Sequence, residues 1–169
     1  MTNNDILRRV RYSLDLKDAQ SLALFAQGGI EIDEAQFLAL LAKEEDENYH
    51  SCSNEQLLGF LDGLVLQERG PREGGPAPKA EGAEPMNNQV FKKLRVALQL
   101  KEEDILNLLA LAGFIVRKPE LTSLFRKPDH KHFKACGDQF LRNFLQGLAL
   151  QRRHGAEPSS EQDADVTAE

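Results

Sequence analysis

Cysteine is scarce in this sequence. Only Cys52 and Cys136 occur, 84 positions apart, which is no basis for a disulfide framework. No apolar run approaches the ~18–20 residues needed to cross a bilayer, so no membrane contact is expected. The opening MTNNDILRRVRY lacks the basic, apolar and small-residue order of a secretory signal. These three absences together predict a soluble, cytoplasmic protein in a reducing compartment. Sustained alternation of β-branched with polar residues is also missing, which argues against a sheet. No glycine-rich phosphate loop occurs, because the glycines at 70–75 follow a helical pattern rather than a strand. The acidic run EEDE at 44–47 lacks the glycine and ligand spacing of an EF-hand loop and reads as a solvated turn.

What the chain does contain is itself, twice. Residues 3–17 read NNDILRRVRYSLDLK and residues 87–101 read NNQVFKKLRVALQLK. The match runs without a gap over residues 3–69 and 87–153, and about twenty of the 67 pairs are identical. Cys52 faces Cys136, and LLGFLDGLVLQER faces LRNFLQGLALQRR. A period of 84 is too long for a solenoid of 20–50-residue units. The sequence therefore predicts an all-α protein of two tandem homologous units, four to five helices each, related by a pseudo-twofold axis.

The organisation follows from composition: a first repeat over 1–69, a Gly/Pro/Ala-rich linker over 70–86, a second repeat over 87–154 and an acidic tail over 155–169. Linker and tail have too few large apolar side chains to offset their ordering entropy, and are expected to be flexible and disordered. Within the repeats the spacing is helical. Ile6, Leu7, Val10 and Leu14 share a face, as do Val90, Phe91, Leu94 and Leu98. Asn4 and Asn88 are good N-cap residues for these first helices. Second helices end at Gly28-Gly29 and Gly113, as a glycine C-cap would. Third helices start near Asp33 and Pro119. The last helix is the longest, opened by a capping box of Ser53 and Gln56.

The densest cluster of reactive side chains is PDHKHFKACGDQ, with His130, His132, Cys136 and Asp138 inside nine positions. Imidazole and thiolate suit zinc, and His132 and Cys136 are one helical turn apart. The first repeat retains the cysteine but has Asp46 and Asn48 where the histidines stand, and paired cysteines are absent. The cluster reads as structural, with both thiols buried, and no metal or cofactor is expected. A cysteine nucleophile would need a base, an orienting group and an oxyanion site, and only His132 offers itself as base. No enzyme is predicted.

Two other features point to surfaces. Gly63 and Gly147 lie inside the last helices, where each costs ~1 kcal/mol relative to alanine. Their retention in both copies predicts close helix packing, with the long helix of one copy against that of the other. Charge is also divided. Residues 1–69 hold 6 Lys/Arg and 13 Asp/Glu, whereas residues 87–154 hold 13 and 6, a net of −7 against +7. The candidate partner-binding basic patch comprises Lys92, Lys93, Arg95, Arg117, Lys118, Arg126, Lys127, Lys131 and Lys134.

The motifs NNQVFKKLRVALQL, LKEEDIL and PDHKHFKACGDQFLRNFLQGL resemble those of the uncharacterised bacterial YehS-like family, over both copies from about residue 3 to 153. The resemblance implies a duplicated helical protein of the bacterial cytoplasm and carries over no catalytic residue. Taken together, the expectation is a non-enzymatic helical binding or interaction module with an acidic and a basic half. Its partner would be a protein or a second copy of the chain. The alternative is a nucleic-acid-binding regulator using the second repeat, whose short second and third helices have helix-turn-helix proportions. Against that alternative stands the acidity of the chain as a whole.

Overall fold

A computed structural model describes residues 1–71, 73–74 and 84–154. Most of the expected linker and all of the expected tail lie outside the described residues. The described chain is entirely helical: α1 (Asn3–Leu14), α2 (Asp18–Gln27), α3 (Glu34–Leu41), α4 (Asn54–Arg69), α5 (Met86–Leu98), α6 (Glu102–Leu111), α7 (Lys118–Leu124) and α8 (Asp138–His154). Four helices per repeat follow in the same order, and no strand occurs among the described residues.

Local chemistry sets the ends. At α4 the Ser53 hydroxyl accepts from Gln56 N and the Gln56 side chain accepts from Ser53 N, satisfying two otherwise orphaned donors. Asp33 and Gln36 do the same for α3. Helices α1 and α5 both stop on a left-handed residue, Asp15 at φ 51° and Gln99 at φ 54°, 84 positions apart. Glycines Gly29 and Gly113, at φ 81° and 77°, turn the chain after α2 and α6 where a side chain would be strained.

The first helices are capped differently from the sequence reading. Thr2, not Asn4, is the N-cap of α1, and its hydroxyl accepts from Asp5 N while the Asp5 carboxylate accepts from Thr2 N. Pro85, not Asn88, precedes α5. Asn4 and Asn88 are instead buried within the first turn of their helices. Asn4 Nδ2 donates to the carbonyls of Leu40 and His50 at 2.9 and 2.8 Å, and its Oδ1 accepts from Cys52 N at 2.9 Å and from the Tyr49 hydroxyl. Asn88 repeats the pattern with Leu124, Lys134 and Cys136 N. The neighbouring Asn3 and Asn87 donate to the carbonyls of Cys52 and Cys136. The Asn-Asn pair that opens each repeat therefore ties the end of the third helix and the cysteine-bearing loop to the first helix.

Helices α1, α4, α5 and α8 form a ring in that order, with α2 against α4 and α6 against α8. The repeats meet at two seams. At one, α5 packs on α4; at the other, α1 packs on α8. Exchanging α1 with α5 and α4 with α8 carries one seam onto the other, the relation a pseudo-twofold axis imposes. Buried side chains of both repeats form a single connected core. Apart from the equivalent pair Phe60 and Phe144, its aromatic positions differ between the copies. Phe25, Phe37 and Phe60 cluster in the first repeat, whereas Phe91 is surrounded by Phe125, Phe140 and Phe144 in the second.

The interior glycines do not join the two long helices. A Cβ on Gly63 would strike the backbone of Leu24 in α2, and one on Gly147 would strike the backbone of Leu108 in α6. Each close approach is thus within a repeat, between its second and fourth helices. The seams between repeats are built by other residues.

Candidate functional site

The histidines and cysteine of the 128–139 segment are not brought together. Cys136 is buried and backs onto the Asn88 clamp, while His130 and His132 are exposed, with ring centroids 5.6 Å apart. His130 Nδ1 accepts from His132 N at 3.0 Å, and its Nε2 lies 3.3 Å from the Arg126 guanidinium. Among the described residues, no three His, Cys, Asp or Glu side chains are arranged to hold a metal ion. Burial pushes the Cys52 thiol up to about 11. Burial, with the charge of Asp138 added, pushes the Cys136 thiol up to about 12. Both thiols are therefore protonated at neutral pH and poor nucleophiles. Alkylation of the native protein at pH 8 should accordingly be slow, with both cysteines becoming reactive together as urea unfolds it. Rapid modification of either residue in the native protein would contradict this placement.

The nine cations singled out from the sequence divide in the fold. Three have carboxylate partners: Lys92 pairs with Glu84, Lys93 with Asp62 of α4, and Lys118 with Glu102. Arg95 lies over the Phe125 ring at 4.2 Å and donates to the Leu100 carbonyl. Arg117, Lys118, Lys127, Lys131 and Lys134 are exposed, and with the half-buried Arg126 they belong to α7, its N-cap and the loop after it. The equivalent stretch of the first repeat has the opposite sign. Residues 31–48 carry seven Asp/Glu and one Lys; residues 115–132 carry five Lys/Arg, two Asp/Glu and two His. Net charges of −6 and +3 on these stretches account for nine of the fourteen charges separating the repeats. The charge split is thus concentrated on two pseudo-equivalent edges.

The two seams differ in a way that periodicity does not reveal. Where α5 crosses α4, the Lys93 ammonium closes on the Asp62 carboxylate. The positions equivalent to these two, 84 residues away, are Arg9 and Gln146. Among the described residues Arg9 therefore meets no carboxylate at the crossing of α1 and α8, where the Asp138 carboxylate is taken by the Met1 amino group. A groove of about 310 Å³ opens there, lined by Arg8, Arg9, Tyr12, Ser13, Leu145, Gln146 and Ala149. Its floor includes a bond from the buried Ser13 hydroxyl to the Leu145 carbonyl at 2.9 Å. Tyr12 is 58% exposed and carries the Arg153 guanidinium over its ring at 4.2 Å. Arg8 is committed to the Asp5 carboxylate and to the carbonyls of Leu41 and Ala42. Arg9 has no hydrogen-bond or ion-pair partner among the described residues. Sequence reading missed this groove. Its signal was present as departures from the repeat: Gln146 opposite Asp62, Ser13 opposite Ala97, and Tyr12 opposite Val96.

Among the described residues no helix is long and apolar enough to cross a membrane. A family model described as a protein of unknown function, DUF1456, matches residues 3–70 and again residues 87–154. The Escherichia coli (strain K12) protein YehS, described as uncharacterized, is 45% identical over 154 residues, covering 91% of this chain and 97% of its own length. No solved structure matches the chain. The duplicated Asn-Asn clamps, the paired cysteine loops and the glycine-bearing last helices fall inside both matched segments. The chain belongs to the DUF1456 family, with two copies of its domain in tandem.

Proposed function

We propose that this protein is a non-enzymatic helical interaction module that binds protein partners, or further copies of itself, through its two oppositely charged edges. The observation that carries the reading is the sign reversal between residues 31–48 and 115–132, on pseudo-equivalent elements around one connected core. Exposed charge of one sign steers encounter with the opposite sign and discourages like-charged partners. The acidic edge of one copy complements the basic edge of another, a heterologous pairing that would grow head to tail rather than close as a dimer. The buried, protonated thiols add no nucleophile to set against it.

The test is the mass of the full chain by light scattering at low and high salt, together with identification of whatever co-purifies at low salt. Association, or a protein partner, that is lost at high salt and on reversing Lys127, Lys131 and Lys134 to glutamate is the expected result. A salt-independent monomer without any partner would overturn the reading. Nucleic acid on the basic edge is the competing reading, favoured by the five exposed cations of α7, its N-cap and its loop. It predicts a steep fall of affinity with salt, as bound phosphates release counterions.

A further inference from the structure

The structure assigns a second binding site, independent of the charged edges: the α1–α8 groove receives a carboxylate-bearing segment of an acidic protein partner. The chain supplies its own template for the ligand. At the pseudo-equivalent crossing of α5 and α4, the Lys93 ammonium is met by the Asp62 carboxylate. At the crossing of α1 and α8 the cation remains, as Arg9, while Gln146 replaces the carboxylate. A carboxylate brought in from outside would restore the missing half of that pair.

The rest of the groove suits an acidic peptide rather than a bare anion. The Tyr12 ring, Leu145 and Ala149 offer an apolar wall for the side chain next to the carboxylate. The guanidiniums of Arg9 and Arg153 offer planar donors that a carboxylate engages with two parallel hydrogen bonds. Arg153 is already held by its stacking on Tyr12, so little ordering accompanies its use. A cavity of about 310 Å³ accommodates one or two side chains, not a folded domain. The groove uses none of the residues of the charged edges, so it stands or falls separately from them.

The test is an NMR titration of the full chain, at low salt, with an acetylated and amidated peptide of alternating Leu and Asp. Shifts in α1 and α8, centred on Arg9, Tyr12 and Gln146, are expected. Arg9→Gln should weaken binding at least tenfold. Gln146→Asp should do the same while raising the melting temperature, because it installs the intramolecular pair seen at the other seam. Lys93→Gln, at the seam already paired, should leave peptide affinity unchanged. Shifts confined to α7 and its loop, or undiminished binding by Arg9→Gln and Gln146→Asp, would overturn the assignment. Binding that emerges only after residues 155–169 are removed would give the groove to the chain's own acidic end and would also overturn it.

Discussion

Replacing Asn88 with alanine should destabilise the protein by about 3–4 kcal/mol, and Asn4→Ala by at least as much. Asn88 is fully buried and makes three bonds, to the carbonyls of Leu124 and Lys134 and from Cys136 N. Alanine removes all three and leaves buried backbone groups without partners, each a cost of about 1–3 kcal/mol that partial solvation reduces. Asn4 has a fourth bond, from the Tyr49 hydroxyl, which its counterpart lacks because residue 133 is Phe. Asn4→Asp and Asn88→Asp separate the clamp from mere packing. Aspartate keeps the acceptor and the volume but turns a negative charge toward two carbonyls, so it should be no better than alanine. Asn3→Ala and Asn87→Ala, at half-buried positions, should cost only about 1 kcal/mol. Urea unfolding of the full chain reads all six. An Asn88→Ala variant within about 0.5 kcal/mol of the parent would show that the loop is held by something else.

Much of the fold was legible in the sequence because its determinants are local or repeated. The Ser53–Gln56 box acts across three residues, and the ungapped match carried helix order from one copy to the other. Asn4 and Asn88 were misread as caps for an instructive reason. Asparagine is a good cap by propensity, but Thr2 and Asp5 already satisfy the first donors of α1. That leaves Asn4, two residues past the cap, free to face the core. Sequence places Lys93 in the candidate partner-binding basic patch, yet it closes on Asp62, 31 residues away across the seam. Nothing local marks such a pair. The groove shows the same limit from the other side. Gln146 opposite Asp62 is an ordinary difference between copies until the fold places it beside Arg9. Sequence thus located the chemistry of each helix, while the choice of neighbour waited on tertiary structure.

Gly63 and Gly147 give the largest effect expected from the smallest change. Alanine is the better helix former by ~1 kcal/mol, so at an idle position Gly→Ala in mid-helix would stabilise the protein. Here the sign should reverse. The new methyl group at 63 would meet the Leu24 carbonyl and Cα of α2, and that at 147 the same atoms of Leu108 in α6. Both obstacles are backbone, so no rotamer change relieves the clash, and the helices must move apart across a close-packed core. A cost of about 3 kcal/mol for each alanine is expected, rising further for leucine. The two repeats should suffer alike, because a Cβ would come equally close to the facing backbone at both positions, although Gly28 and Gly59 also meet between α2 and α4 where the second repeat has Ala112 and Asn143. Thermal and urea unfolding of Gly63→Ala and Gly147→Ala settle the sign. Variants that melt at or above the parent temperature would mean that neither glycine serves a close approach.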